Sequence, residues 1–137
     1  MLAWNLGTAF HVVPIAPIYQ PYEDAFNALF GNDTFDLTNE NAQARIRGNI
    51  LMAWSNRTGA MVVSTGNKSE MAVGYCTLYG DMAGGLALLG DVYKRMVYRV
   101  AQWLNRNSAV SLQSAITHEP SAAQRANDTV QNSTPPH

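Results

Sequence analysis

The chain has 137 residues, 47% of them apolar and 14% charged, which is enough to bury one core of ordinary size. Nine basic residues against ten acidic ones leave no electrostatic signal for binding nucleic acid or a membrane surface. The single cysteine, Cys76, excludes an intramolecular disulfide and the usual thiolate metal sites.

The N-terminal segment is apolar but has no basic region, so we do not expect a signal peptide. No run approaches the roughly 18 uninterrupted apolar residues of a membrane span. We therefore expect a cytoplasmic protein. Residues 2–6 are predicted to form the last turn of a helix that ends at Gly7, and residues 10–15 a short strand stopped by Pro14 and Pro17.

Two helices are predicted next. Apolar residues recur at helical spacing over residues 22–30, and Gly31 ends that helix. After a loop, a second helix is predicted from Thr38 or Asn39, either of which is a good N-cap, to about Asn56. Its expected apolar stripe consists of Ile46, Ile50, Leu51, Ala53 and Trp54.

The second half of the chain alternates between strand and helix patterns. The nearly continuous apolar run of residues 60–65 predicts a parallel strand covered on both faces. A short helix is expected near Asn67 and a longer one from Asp91 to Asn105. The longer helix is expected to turn five side chains inward: Val92, Met96, Val100, Trp103 and Leu104. This alternation predicts an α/β fold with a parallel sheet.

The end of the predicted strand carries polar groups suited to an anion or a metal. Thr65 offers a hydroxyl and a backbone NH, Gly66 permits close approach, and Glu70 falls in the first turn of the next helix. A carboxylate there could bind Mg²⁺ or a ligand hydroxyl. The structural alternative is that Thr65 or Asn67 only caps the helix and that Glu70 closes a capping box.

Other candidate site residues are also open to two interpretations. Asn41 and Arg45 are four residues apart and project from one helix face, where the arginine could hold a phosphate or carboxylate or simply be solvated. Lys94 stands in a first turn, where a cation is mildly unfavourable unless a phosphate binds or solvent screens it. The glycines around Asp81 either make tight turns or let backbone approach a ligand.

Residues 40–105 resemble the synthetase domain of the glutamine-dependent NAD⁺ synthetases. The motifs that carry the likeness, in the family's order and spacing, are ENxQARxRG, TGNKSExAVGYxTLYGDMAGG and DVYK. A weaker likeness extends over nearly the whole chain. The resemblance implies a partial doubly wound, Rossmann-like parallel sheet with flanking helices over residues 1–118. After Pro120 the composition becomes polar, which predicts a flexible tail over residues 119–137 unless a partner orders it.

The function that the resemblance implies is that of a carbon–nitrogen ligase. ATP with Mg²⁺ adenylates the nicotinate carboxylate of deamido-NAD⁺, which releases pyrophosphate. Ammonia then displaces AMP to give NAD⁺. The resemblance also implies a homodimer.

Site residues carried over from the family are Thr65 and Lys94 for ATP, Asn41, Arg45 and Glu70 for deamido-NAD⁺, and Glu70 again for Mg²⁺. No catalytic side chain is assigned. The family's pyrophosphate-binding motif, Ser-Gly-Gly-x-Asp-Ser, does not occur in the sequence. We therefore expect the isolated chain to be inactive, and the alternative function is that of an inactive remnant that binds nucleotide or dimerises.

Overall fold

The computed structural model describes residues 2–31, 36–106 and 116. Over these residues the elements are helices α1 (Leu2–Asn5), α2 (Ala16–Phe30) and α3 (Leu37–Thr58), strand β1 (Val63–Ser64), helix α4 (Lys68–Ala72), strand β2 (Leu86–Ala87) and helix α5 (Lys94–Leu104). The described residues divide into two compact units, one lying within residues 13–91 and the other made of those before residue 13 and those after residue 91.

The two short strands belong to the unit of residues 13–91 and run parallel. Val63 pairs with Leu86 and Ser64 with Ala87. The amide of Gly85 extends the pairing by donating to the carbonyl of Val62 at 2.9 Å. The predicted α/β class with parallel strands is confirmed, although β1 is shorter than the six residues expected and β2 was not foreseen.

Helix α3 begins earlier than the sequence predicted. Its N-cap is Asp36, whose carboxylate accepts a hydrogen bond from the amide of Thr38 at 2.7 Å, while the side chain of Asn39 accepts from the amide of Asp36 at 3.0 Å. The expectation that Thr38 or Asn39 is the cap was wrong because Asp36 completes a reciprocal capping box with Asn39. The helix ends at Gly59, in a left-handed conformation with φ +72°.

The buried face of α3 lies in its N-terminal half. Its buried residues are Ala42, Ala44, Ile46 and Gly48. Of the predicted apolar stripe only Ile46 is fully buried, and Leu51 and Trp54 are about half exposed. Helix α2 packs on α3, and a tight turn at Gly80 packs against α3 at Ala44 and Gly48. Small residues are therefore buried where neighbours are close, whereas the large apolar residues of the C-terminal half stay exposed.

The strand predicted at residues 10–15 is not present, and α2 starts at Ala16 rather than near Tyr22. Pro17 occupies the first turn of α2, where a helix needs no N–H donor, so this proline starts the helix instead of stopping a strand. The predicted end at Gly31 is confirmed, since its amide donates to the carbonyl of Asn27 at 3.0 Å.

The second unit contains α1 and α5. The first helix is followed by Gly7 with φ +62°, as the sequence predicted. Helix α5 is shorter than residues 91–105, and the inward orientation predicted for its apolar residues was wrong. Val92 is only partly buried, and the other four, Met96, Val100, Trp103 and Leu104, are exposed. The Arg106 guanidinium lies 5.2 Å from the Trp103 ring centre, a cation–π contact.

The predicted tail of residues 119–137 lies outside the described residues, so the domain boundary at residue 118 stays a prediction. Among the residues that are described, none of the helices is long and apolar enough to cross a membrane.

Candidate functional site

A capped helix follows the carboxyl end of β1. Thr65 is exposed just beyond the strand, and Asn67, which is buried, is the N-cap of α4. The Asn67 side chain accepts from the amide of Glu70 at 3.1 Å, and the Glu70 carboxylate accepts from the amide of Asn67 at 3.1 Å. Glu70 therefore closes a capping box, as the structural alternative predicted.

Asn41 and Arg45 lie on one face of α3, as their spacing predicted, and both contact a turn formed by residues 77–80. The Thr77 hydroxyl donates to the side-chain oxygen of Asn41 at 2.7 Å. The Arg45 Nε donates to the carbonyl oxygen of Leu78 at 3.3 Å. The turn thus holds two of the predicted ligand-binding side chains in adjacent positions.

The turn is fixed by its own hydrogen bonds. The Asp81 carboxylate accepts from the amide of Thr77 at 2.6 Å, and the amide of Gly80 donates to the carbonyl of Thr77 at 3.0 Å. Tyr79 has φ +63°, a conformation that non-glycine residues rarely adopt, and its side chain is 75% exposed. Asp81 therefore acts on the site indirectly, by holding the backbone of the turn.

Glycines allow this turn to lie directly against α3. A Cβ on Gly48 would stand 2.9 Å from the carbonyl oxygens of both Tyr79 and Gly80, and a Cβ on Gly80 would stand 3.0 Å from the Cβ of Ala44. The distances at Gly48 are shorter than real Cβ atoms show, so that position requires glycine, whereas a Cβ on Gly80 would fit only if Ala44 moved by a few tenths of an ångström. The close approach brings Thr77 and Leu78 within hydrogen-bonding reach of α3.

Gly84 has a comparable structural role beside β1. It has φ +157°, and a Cβ there would lie 3.0 Å from the carbonyl oxygen of Val62 and 3.1 Å from the amide nitrogen of Ser64. The glycines around Asp81 were expected either to make tight turns or to let backbone approach a ligand. Gly80 lies in a tight turn, and both Gly80 and Gly84 also let backbone pack closely against α3 and β1, a role that the sequence did not suggest.

Two carboxylates act on the half-buried thiol of Cys76. Burial raises the pKa of this thiol most, and the negative charges of Asp81 and Glu70 raise it further. The amide of Tyr75 also donates to the carbonyl of Glu70 at 2.9 Å. Residues 75–77 therefore connect the capped start of α4 to the turn that contacts α3.

An ion pair lies on the same unit. The Lys68 Nζ is 2.7 Å from the Asp91 carboxylate, and this hydrogen bond and charge hold the pKa of Asp91 below its ordinary value. Within the described part of the chain, no three His, Cys, Asp or Glu residues form a group that could hold a metal ion by themselves.

The structure thus places four of the five predicted site residues in the unit of residues 13–91. It brings Asn41 and Arg45 into contact with one turn. Lys94 is the first residue of α5, in the other unit. Sequence reasoning missed Thr77 and the Leu78 carbonyl. No local signal marks them, because Thr77 and Asn41 are separated by 36 residues and meet only in the folded chain.

This α/β unit has the features of a site for an anionic ligand. A capped helix follows a parallel strand, and α3 carries an amide and a guanidinium side chain on one face. The chain matches the family described as NAD synthase over residues 1–135. It belongs to that family.

Known relatives support the assignment. The chain is 48% identical over 136 residues to the glutamine-dependent NAD⁺ synthetase of Synechocystis sp., covering 99% of the chain and 24% of the relative. The structure matches the glutamine-dependent NAD⁺ synthetase of Acinetobacter baumannii, solved in complex with ADP, with a TM-score of 0.82 and 45% identity, over 89% of this chain and 24% of that one.

A second solved structure, NMN synthetase from Francisella tularensis, matches with a TM-score of 0.80 and 26% identity, over 96% of this chain and 51% of that one. These likenesses confirm the Rossmann-like α/β fold. The chain spans about a quarter of the length of the curated relatives that it matches.

Proposed function

We propose that the chain forms part of a synthetase that amidates deamido-NAD⁺ to NAD⁺ at the expense of ATP. The proposal is supported by family membership, by the glutamine-dependent NAD⁺ synthetases among its relatives, and by the ADP bound in the related structure from Acinetobacter baumannii. The observation in this chain that carries it is that Asn41 and Arg45, on one face of α3, both hydrogen-bond to the turn of residues 77–80. An amide and a guanidinium so placed have N–H donors that suit an anionic ligand.

The reaction has two steps. The nicotinate carboxylate attacks the α-phosphorus of ATP, the bond to the β-phosphate oxygen breaks, and pyrophosphate leaves. Ammonia then attacks the acyl carbon of the mixed anhydride, loses a proton and expels AMP, which yields the amide. The first step requires cationic groups around the departing pyrophosphate, and the second requires a site shielded from water.

Each predicted site residue has a role in this scheme. Asn41 and Arg45 bind deamido-NAD⁺ through N–H donors, because an amide and a guanidinium hydrogen-bond to carboxylate or phosphate oxygens. Thr65, exposed at the end of β1, contacts ATP through its hydroxyl or backbone NH. Lys94 neutralises phosphate charge, and Glu70 contacts deamido-NAD⁺.

The residues present fit a magnesium ion that substrate phosphates help to hold. Mg²⁺ is usually bound by one or two carboxylates together with phosphates and water, so a protein site needs no cluster of three acids. Glu70 is the residue proposed to hold it, with its carboxylate already fixed by the amide of Asn67. When bound, the ion would offset negative charge on the departing pyrophosphate.

A homodimer, a cytoplasmic location and ammonia as the amide donor belong to the same proposal. The exposed apolar side chains of Trp54 and Leu51 on α3 agree with an interface, since such residues are costly to leave in water.

Calorimetric titration of the 137-residue chain with deamido-NAD⁺ tests the binding role directly. Arg45→Gln should weaken binding about tenfold or more, because a charge-assisted hydrogen bond contributes roughly 1.5–3 kcal/mol. Arg57→Gln is the matched control: it removes an arginine in the last turn of the same helix, away from the turn of residues 77–80. Equal effects of the two variants would contradict the assignment, and no heat from the parent would refute binding by this chain.

The second candidate function is a non-catalytic module that binds nucleotide or dimerises. It is favoured by one observation, the absence of a Ser-Gly-Gly-x-Asp-Ser motif from the 137 residues. An assay for AMP release with ATP, deamido-NAD⁺ and ammonia separates the two. We expect binding without turnover from these residues alone, and AMP formation would overturn that expectation.

A further inference from the structure

Thr77 makes a hydrogen bond that orients the side-chain amide of Asn41. Its hydroxyl donates to the side-chain oxygen of Asn41 at 2.7 Å, in a partly buried contact between residues 36 positions apart. An asparagine side chain has an acceptor oxygen and an NH₂ donor group. The Thr77 hydroxyl engages one of the two lone pairs of the oxygen and so orients the amide, and the NH₂ is the part of the side chain that can donate to a ligand.

Thr77 is itself held firmly. Its amide donates to the Asp81 carboxylate at 2.6 Å, and its carbonyl accepts from the amide of Gly80 at 3.0 Å. Gly80 in turn packs against α3 so closely that a Cβ there would meet Ala44 at 3.0 Å. The Thr77 hydroxyl therefore approaches Asn41 from a backbone that is fixed on both sides.

Arg45 is oriented by the next residue of the turn. Its Nε donates to the carbonyl of Leu78 at 3.3 Å, and the guanidinium carries four further N–H donors beside this one. Asn41 and Arg45 then both present donors. Two donor groups side by side, one of them cationic, favour an oxygen acceptor that carries negative charge, such as a carboxylate or a phosphate.

We propose that Thr77 is a positioning residue for deamido-NAD⁺, holding the Asn41 amide so that its NH₂ donates to an anionic oxygen of the ligand. The inference rests on the proposed function. Thr77 acts through Asn41 and does not itself touch the ligand, so its effect disappears when the Asn41 amide is removed.

The test is a double-mutant cycle on the 137-residue chain, with deamido-NAD⁺ affinity measured by calorimetry. Thr77→Val removes the hydroxyl at nearly constant shape and should weaken binding about two- to tenfold, the equivalent of one net hydrogen bond. Thr77→Ser keeps the hydroxyl and should restore the parent affinity. Asn41→Ala should also weaken binding, and Thr77→Val should cause no further loss in that background.

The outcomes separate this inference from the proposed function. If Asn41→Ala weakens binding and Thr77→Val does not, the positioning role is wrong and the proposed function stands. If the two losses add, Thr77 acts through the stability of the turn and the inference fails. If Asn41→Ala leaves the affinity unchanged, or the parent does not bind deamido-NAD⁺, the assignment of Asn41 fails and the role of Thr77 fails with it.

Discussion

Replacing Gly48 with alanine tests the close packing that holds the site together. Gly48 lies in the middle of α3, where alanine is ordinarily the better helix former. The added Cβ would stand 2.9 Å from the carbonyl oxygens of both Tyr79 and Gly80. Both obstructing atoms belong to the backbone, so they can move away only if the whole turn moves.

Two opposing terms give the expected magnitude. Glycine to alanine in an open helix position gains about 1 kcal/mol of stability. Overpacking a tight contact costs about 1–3 kcal/mol, and backbone obstruction places the cost in the upper half of that range. The net prediction is a loss of about 1–2 kcal/mol in the free energy of unfolding. With a urea m-value of about 1.5 kcal/mol/M, the midpoint should fall by about 1 M.

Urea unfolding followed by circular dichroism at the helix band measures this change. Asn49→Ala is the matched control, because Asn49 is the next residue of the same helix and is exposed. It should gain up to about 0.7 kcal/mol from helix propensity alone. A Gly48→Ala variant that is as stable as the parent, or more stable, would refute this close packing of the turn against α3.

Three further predictions concern the turn and the capped helix. Tyr79→Gly should stabilise the chain by up to about 1 kcal/mol in urea unfolding, because the left-handed conformation costs residues other than glycine about 1–2 kcal/mol. A destabilised variant would contradict this prediction. Glu70→Gln keeps a capping acceptor, so the free energy of unfolding should change by less than about 0.5 kcal/mol while Mg²⁺-dependent nucleotide binding weakens. An equal loss of stability and of nucleotide binding would argue against a ligand role. The raised pKa of Cys76 means that its stabilising contribution is complete below the unfolded-state pKa and is lost as pH rises through the folded-state value. Unfolding free energy should therefore fall less steeply at alkaline pH in Cys76→Ala, and parallel pH profiles would contradict the shift.

Local signals in the sequence predicted some parts of the fold well. Gly31 and Gly7 end helices where they were expected, and Asn67 begins α4, because each of these features depends on residues within a few positions. The prediction of a strand at residues 10–15 was wrong because it also depended on local signals alone. Pro17 stops a strand but also starts a helix, and the residues on either side do not decide between the two.

Features that depend on distant neighbours could not be predicted. The apolar periodicity of α3 indicated a stripe ending at Trp54, but the buried face is set by the turn at Gly80, about 30 residues further along the chain. The pairing of Asn41 with Arg45 followed from helical spacing. The contacts that orient them follow only from the fold, which brings the turn of residues 77–80 against α3.

Glu70 shows why a structural and a functional interpretation of one residue need not compete. In the capping box the Glu70 carboxylate accepts from the amide of Asn67 at 3.1 Å, which fixes the side chain in place. Fixing a glutamate side chain costs up to about 2 kcal/mol of rotamer entropy, and here folding has already met part of that cost. A carboxylate held in place beyond β1 is therefore a better ligand than a mobile one. The two roles differ in what they require, since the cap needs only an acceptor oxygen whereas a cation needs negative charge.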